Sequence, residues 1–468
     1  MQYFIEPPKT WKTKEKSILE DNLYSNILSK FKESDVVFEV IKKNGEIKKL
    51  NKKTCIYLSR NFALEIKKNI KNKNSDDQIK IMGIISASEE SVILMLASLF
   101  LGAHHCICFE DLSPEAIYQR LDIFKPDIIV CKKHLLKKIE SALAKNEEIS
   151  PPIILIEAEK IDNYNSQKEE VINYKNNYSL FTLFTSGSTG KPKAIVHGVS
   201  EYLKYAKFTT KYFFGVKRHS KIFTAVDAGW INGHTYAFYG PLLLGGISII
   251  NEMPTLISMP RILGEYLNQI RPECFYTSVT LLRLLKSMTK EHEKLSLYSS
   301  KDFKIERIGS CGEPLAHNVG KWAIDFFEPS RKSIVNTYFQ TETGGILAAP
   351  RDEDLVPKDY SCVGKPLKEL GLCQAKDLIN PDQLEKENPR TVEPPVDTVN
   401  PFAAASPPPP VLPPPAALGP SRSRSAAFVL NSTRNWMPPC PGRQAVPLPR
   451  PQRAISVPSS EARAPAEI

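Results

Sequence analysis

The sequence predicts an α/β protein of two stacked subdomains, each built on a mostly parallel sheet. Three observations predict it. Short apolar runs alternate with segments of helical period, the pattern of βαβ crossover units. The runs are apolar along their whole length, as strands covered on both faces must be. The rhythm resumes after Tyr178, giving a second set of strands, and no internal repeat is present.

In the first set, residues 79–85 read as a strand, 89–101 as a helix and 105–109 as a strand. Residues 114–124 follow as a helix, 127–131 as a strand, 135–145 as a helix and 153–156 as a strand. In the second set, 180–185, 222–225, 247–250, 274–276, 305–308 and 334–338 are the strands, with helical segments between them.

With 468 residues the chain is long enough for two or three domains. The net charge of +10 comes from lysines spread among Asp and Glu. Without a focused basic patch or an aromatic-basic motif, a lysine-rich solvated surface explains it better than a nucleic-acid partner. The nine cysteines form no CxxC pair and mostly lie in apolar runs such as His105-Cys106-Ile107-Cys108-Phe109, where a thiol acts as a small hydrophobe. No apolar stretch reaches the roughly 18 residues of a bilayer span, and the first thirty residues show no signal-peptide core. The expectation is a cytoplasmic protein with neither a membrane nor a nucleic-acid partner.

Composition changes near residue 390. From Thr391 to Ile468 there is no lysine, and about half of the chain's 37 prolines fall there. Runs such as 407–410 and 413–415 favour polyproline II and cannot build a packed element, so residues 391–468 are expected to be disordered. Such a tail could serve proline-recognising domains, with Ser421-Arg422-Ser423-Arg424 as a basic contact. The alternative is a non-native join, since Lys, Asn and Ile favour A+T-rich codons while Pro, Ala and Arg favour G+C-rich ones.

The sharpest local feature is Thr185-Ser186-Gly187-Ser188-Thr189-Gly190-Lys191-Pro192-Lys193, directly after a strand. Two glycines and four hydroxyl residues give a flexible loop rich in donors that can fold around phosphate oxygens, with Lys191 and Lys193 adding charge. It is not a P-loop, because the glycines are too close and no Ser or Thr follows the lysine. Its S-x-x-K spacing would suit a serine acyl-enzyme, but the S-D-N and K-T-G partners are absent. A polar surface loop is the other reading of these residues by themselves.

The loop resembles the phosphate-binding signature of the adenylate-forming superfamily, which includes acyl-CoA synthetases, luciferases and peptide-synthetase adenylation domains. Three further segments resemble the acetyl-/propionyl-CoA synthetase branch, in the same order and spacing. They are the stretch from Asp227-Ala228-Gly229-Trp230-Ile231-Asn232-Gly233-His234 to Tyr239-Gly240-Pro241-Leu242, the turn Gly312-Glu313-Pro314, and Asn336-Thr337-Tyr338-Phe339-Gln340-Thr341-Glu342-Thr343-Gly344-Gly345. The likeness runs from about Lys80 to Leu378.

The resemblance implies the large N-terminal domain of an adenylate-forming enzyme over 79–385, incomplete at its C-terminal end, preceded by a shortened extension over 1–78. It implies ATP, Mg²⁺ and CoA as cofactors and a small-molecule carboxylate as substrate. Residues 185–190 and Lys193 would cradle the phosphates, with Lys191 catalytic. Gly312, Glu313 and Pro314 would line the adenine, and Asn336, Thr337, Tyr338, Phe339 and Gln340 would run along it. Thr341 would meet the α-phosphate and Glu342 would hold the metal, which accepts one or two carboxylates beside phosphate and water. Trp230, Ile231, Asn232, Cys311 and Phe339 would form the acyl pocket, with Cys311 as wall rather than nucleophile. Phe339 stands where acetate enzymes carry a larger tryptophan, which implies space for propionate. His234 would either orient the carboxylate or be a core histidine.

The likeness fades near Leu378. No counterpart follows for the family's ribose-binding aspartate, its hinge or the lysine of its C-terminal domain, and the CoA-contacting RGGK stretch is absent after Cys131. Two functions therefore stand: ATP-dependent activation of acetate or propionate to acyl-adenylate and acyl-CoA, or a catalytically impaired ATP-binding fragment.

Overall fold

The computed structural model describes residues 22–70, 77–146, 150–161, 178–186, 191–253, 257–289, 305–331, 333–350 and 359–367. The chain opens with α1 (Leu23–Ser29), the hairpin β1 (Val36–Ile41) and β2 (Ile47–Asn51), and α2 (Lys52–Asn69). Next come β3 (Lys80–Ile84), α3 (Glu89–Phe100), β4 (His104–Cys108), α4 (Pro114–Phe124), β5 (Ile128–Cys131), α5 (Leu136–Leu143) and β6 (Ile153–Leu155). The antiparallel pair β7 (Ser179–Ser186) and β8 (Pro192–Gly198) closes a six-stranded sheet of order β6-β5-β3-β4-β7-β8.

The second half runs through α6 (Val199–Phe214), β9 (Lys221–Ala225), α7 (Ile231–His234), a π turn over Thr235–Tyr239, and α8 (Gly240–Leu243). It continues with β10 (Ile247–Asn251), α9 (Pro260–Ile270), β11 (Cys274–Ser278), α10 (Val279–Met288), β12 (Arg307–Cys311), α11 (His317–Phe327) and β13 (Ile334–Asn336), and ends on the small ladder β14 (Ala348–Ala349) and β15 (Lys365–Pro366). Its seven-stranded sheet has the order β13-β12-β11-β9-β10-β1-β2. Within the two large sheets only β1/β2 and β7/β8 pair antiparallel. The expected α/β architecture of two mostly parallel sheets is what the chain adopts.

Two features differ from the expectation. Among the described residues ahead of position 79, β1 pairs in parallel with β10 and β2 forms the edge, so this stretch contributes two strands to the seven-stranded sheet. The strand expected at 305–308 lies at Arg307–Cys311 instead. Its small residues belong inside the sheet because a Cβ on Gly309 would stand 2.5 Å from the ring of Tyr276, so only glycine lets β11 and its aromatic pack there.

Helix α3 lies in the core with almost every residue buried, which is why its sequence is apolar all round. It starts at a Ser88 capping box, and Glu89 at its first position receives Lys42 at 3.2 Å and Lys48 at 2.8 Å from the β1–β2 hairpin. A carboxylate there also suits the helix dipole. Cys55, Cys106, Cys108, Cys131, Cys274 and Cys311 are free and buried, as their apolar settings predict, whereas Cys362 is disulfide-bonded. Among the described residues no helix is long and apolar enough to cross a membrane. The tail, 391–468, lies outside the described residues.

The stretch from α7 to α8 shows how the sequence shapes the junction between the sheets. Pro241 has no N–H to offer the carbonyl of Ala237, and Gly240 donates to Thr235 in π register. The two carbonyls so released are met by side chains: Thr224 Oγ1 donates to Tyr236 O, and Ser248 Oγ donates to Ala237 O. The π turn thus keeps both released carbonyls hydrogen-bonded, and it sets Tyr236 and Tyr239 into the core.

Candidate functional site

The glycine-rich loop is the tip of the β7–β8 hairpin, whose register pairs Thr185 with Lys193 and Ser186 with Pro192. Gly187, Ser188, Thr189 and Gly190 lie outside the described residues. Ser186, Lys191 and Lys193 beside them are exposed. Lys193 and His197 are four residues apart on β8 and therefore share a face. Both address the segment that follows β13: Lys193 Nζ lies 3.9 Å from Glu342 Oε1, and His197 Nε2 donates to Thr341 O at 2.9 Å. Burial lowers the His197 pKa to about 4, so the ring is neutral and keeps that donor. Nothing in the sequence singled out His197 except its place on Lys193's side of the strand.

Thr341–Thr343 forms a 3₁₀ turn. Gln340 N donates to Thr343 Oγ1 at 3.1 Å, Thr235 Oγ1 donates to Gly344 O at 2.6 Å, and Ile346 N donates to the Tyr236 hydroxyl at 2.8 Å. Tyr205 adds a hydroxyl bond to Ile346 O. The segment is clamped from beneath by α6 and the π turn, while Thr341 and Glu342 stay partly exposed beside the hairpin. Thr341, Glu342, Lys193 and the loop flanks are brought together.

Asn336 and Thr337 are placed differently. Both are buried, and their side chains bind the frame: Asn336 accepts from Ser310 Oγ at 3.1 Å and donates to Ser361 O at 3.1 Å, while Thr337 donates to Ser310 O at 2.8 Å. Tyr338 pairs through its backbone with Ala348. Gln340 is exposed.

Gly312 follows β12 with φ +91°, a conformation that favours glycine, and a Cβ built on it would meet nothing within 4 Å. The space above this backbone is open, as a flat ring would require. Glu313 does not face that space. Its carboxylate takes Arg283 Nη1 at 2.6 Å and the Thr280 hydroxyl, both from α10, and Arg283 also reaches Pro314 O at 3.2 Å. Glu313 therefore holds the turn that presents Gly312.

Three expected pocket walls converge. Asn232, in the first turn of α7, donates to Cys311 Sγ at 2.8 Å, and Cys311 donates to Thr277 O at 3.3 Å. Phe339 is half-buried and packs against both the core layer containing Ile231 and the one containing Cys311. Burial pushes the Cys311 thiol up to about 12, so it stays protonated and unreactive. Trp230 turns away: it is 55% exposed and lies against Phe109, ring centres 5.1 Å apart. His234 is a core histidine, stacked on His105 with ring centres 5.4 Å apart and tilted against Phe181 at 4.4 Å, with a pKa lowered to about 3 by burial.

Comparison with known proteins identifies the family. The family model described as AMP-binding enzyme matches residues 72–385. Acetyl-coenzyme A synthetase of Helicobacter acinonychis (strain Sheeba) is 34% identical over 324 residues, which is 63% of this chain and 47% of that protein. That of Campylobacter jejuni subsp. jejuni (serotype O:23/36, strain 81-176) is 32% identical over 304 residues, 59% of this chain and 45% of that protein. The chain thus spans slightly under half the length of these relatives. Among solved structures, an acyl-CoA synthetase from Brucella canis superposes with a TM-score of 0.63 at 19% identity, covering 74% of this chain and 62% of that one. A benzoate CoA ligase from Burkholderia xenovorans LB400 gives 0.61 at 17% identity, covering 74% and 66%. These two share the fold. With the match over 72–385 and a fold of the same kind, this chain belongs to the AMP-binding enzyme family.

Proposed function

We propose that the chain binds ATP and activates a short-chain carboxylate, acetate or propionate, as its acyl-adenylate. A carboxylate oxygen bonds to the α-phosphorus, and the bond to the leaving pyrophosphate breaks. The observation that carries the reading is the meeting of β8 with the Thr341–Thr343 turn. It places a lysine and a carboxylate beside a donor-rich loop, from segments 149 positions apart. Chemistry of this kind needs positioning and charge neutralisation more than covalent help. Lys191 and Lys193 would supply positive charge at the phosphates, and Thr341 a hydroxyl at the α-phosphate. The open backbone at Gly312 suits the adenine. Glu342 fits a Mg²⁺ that takes one carboxylate here and its other ligands from phosphate and water. Such an ion would offset phosphate charge.

Transfer of the acyl group to CoA is proposed from the relatives, which are acetyl-coenzyme A synthetases by name. Carboxylate-dependent ATP–pyrophosphate exchange with acetate, propionate and butyrate tests the first half-reaction. Exchange with one of them supports it. AMP binding without exchange supports the other reading, an ATP-binding fragment impaired in catalysis.

Two substitutions bear on this assignment. Gly312→Ala is expected to destabilise the fold by about 1–2 kcal/mol, the cost of a side chain in left-handed backbone. It should also weaken AMP binding at least about tenfold, because the new methyl enters the open face; calorimetry and thermal unfolding check both. Phe339→Trp fills the pocket and is expected to lower the propionate-to-acetate exchange ratio about tenfold, within the range one methylene commands. An unchanged ratio would remove Phe339 from the pocket.

A further inference from the structure

We propose that His197 is a positioning residue: it ties the Thr341–Thr343 turn to the strand that carries the glycine-rich loop, so that turn and loop meet one nucleotide as a single unit. This rests on the carboxylate-activating function proposed above and adds a residue that acts through others rather than on the substrate.

The turn and the loop belong to different sheets. The turn follows β13 of the seven-stranded sheet, as Gly312 follows the neighbouring β12, whereas the loop is the tip of the β7–β8 hairpin in the six-stranded sheet. Thr341 and Glu342 can meet phosphates held by the loop only if the two sheets keep their spacing here. The Lys193–Glu342 contact is a poor spacer. At 3.9 Å it is beyond hydrogen-bond length, and both side chains are partly exposed. The bond from His197 Nε2 to Thr341 O, by contrast, is 2.9 Å long, and His197 is only 8% exposed.

The ring is itself held. His197 stands opposite Phe181 in the hairpin register, with ring centres 4.8 Å apart, and Tyr202 of α6 lies 5.1 Å away. The far end of the turn rests on the same rings. A Cβ on Gly344 would stand 3.2 Å from His197 Cε1 and 2.9 Å from Tyr202 Cδ2, so only bare backbone fits against them. The Tyr202 hydroxyl bonds to Thr235 Oγ1 at 2.8 Å, and Thr235 in turn donates to Gly344 O. A ring wedged in this way aims Nε2 at one place. The carbonyl acceptor requires that nitrogen to carry the proton, and burial keeps the ring neutral.

The open face at Gly312 does not depend on this bond, but the alignment of loop and turn at the α-phosphate does. Losing the bond is therefore expected to slow adenylation while nucleotide affinity is kept, the signature of an interaction that counts in the transition state.

The test pairs carboxylate-dependent ATP–pyrophosphate exchange with AMP calorimetry, on the full chain and three variants. His197→Gln keeps an amide N–H near the place of Nε2, His197→Met has nearly the shape of glutamine without a donor, and His197→Phe keeps the ring without a donor. The Met and Phe variants are expected to lower the maximal exchange rate about thirtyfold or more, on the scale of the roughly hundredfold cost of a small misplacement. AMP affinity should change less than about threefold in both, and His197→Gln should exchange within about fivefold of the parent. Parental exchange in the Met or Phe variant, or a Gln variant as slow as Met, overturns the proposal. So does an AMP affinity that falls in step with exchange, which would make the role one of packing. If one donor-less variant fails to fold, the other carries the comparison; if neither folds, His197 serves the fold rather than the site, and the proposal falls. A parent that binds AMP yet exchanges with no carboxylate removes the function this rests on, and the proposal with it.

Discussion

Glu342→Gln is expected to lower carboxylate-dependent ATP–pyrophosphate exchange by at least about a hundredfold, with little change in stability. The two halves of that result have separate causes. The turn bearing Glu342 is held by Thr343, His197, Thr235 and Tyr236, none of which needs the carboxylate. The Glu342 pairing with Lys193, at 3.9 Å and partly exposed, is of the class worth about 0–1 kcal/mol. The melting temperature should therefore move by no more than about 2 °C. Function is a different matter, because glutamine keeps the shape and removes the charge that would hold a cation against the phosphates. Removing one electrostatic group from such a site commonly costs about 10²–10³ in rate. AMP binding, which needs no such cation, should change less than about threefold. Exchange that persists at the parental rate in Glu342→Gln would take the metal role away from this residue.

Most of the parallel strands were legible because burial on both faces writes a continuous apolar run, as in β3, β4 and β5, but β1, which pairs in parallel with β10, was not read. Helix α4 was legible to the residue, with Ser113 as N-cap and Pro114 at the first position. The two antiparallel strands β2 and β8 were not. Both are edge strands, one carrying Lys48 and Lys49 and the other beginning at Pro192, and their polarity reads as solvated loop. That is also why the hairpin framing the glycine-rich loop, and with it His197, went unseen.

At the site, sequence located the segments but not the direction of each side chain. Asn336 and Thr337 stand in the same motif as Thr341 and Glu342, yet they bond inward to Ser310 and Ser361. A motif names residues that travel together. Only packing separates those that hold a surface from those that form it.

The second large effect is acid sensitivity set by buried histidines. Burial lowers the pKa of His104 to about 4, of His197 to about 4 and of His234 to about 3, with Lys80 adding to the effect on His104. His105 is held well below the ordinary value for the same reason, with His234 and His104 beside it. Both of its ring nitrogens are buried without hydrogen-bond partners, and its ring stacks on Phe181 and His234. These rings fold neutral. In the unfolded chain they titrate near pH 6.5, so below that pH the unfolded state binds more protons and stability falls. The contribution is complete above about pH 6.5 and is lost progressively as pH drops toward 4. At pH 5.5, one unit below the unfolded value, His104, His197 and His234 each forfeit about 1.4 kcal/mol, roughly 4 kcal/mol together. His105 adds in the same direction.

Carboxylates held low, such as Glu115 with its bond from Lys145, release their stability only below the ordinary value of 4.5 and leave this window clear. Asp227, raised by burial, acts in the opposite sense, but it is one group against four. Thermal unfolding is therefore expected to show a melting temperature roughly 8 °C lower at pH 5.5 than at pH 7.5. His105→Phe keeps an aromatic ring against Phe181 while removing one proton-binding group, so the same scan on that variant should be less steep. A melting temperature that does not change between the two pH values would mean that these rings become charged inside the fold, contrary to the burial that surrounds them.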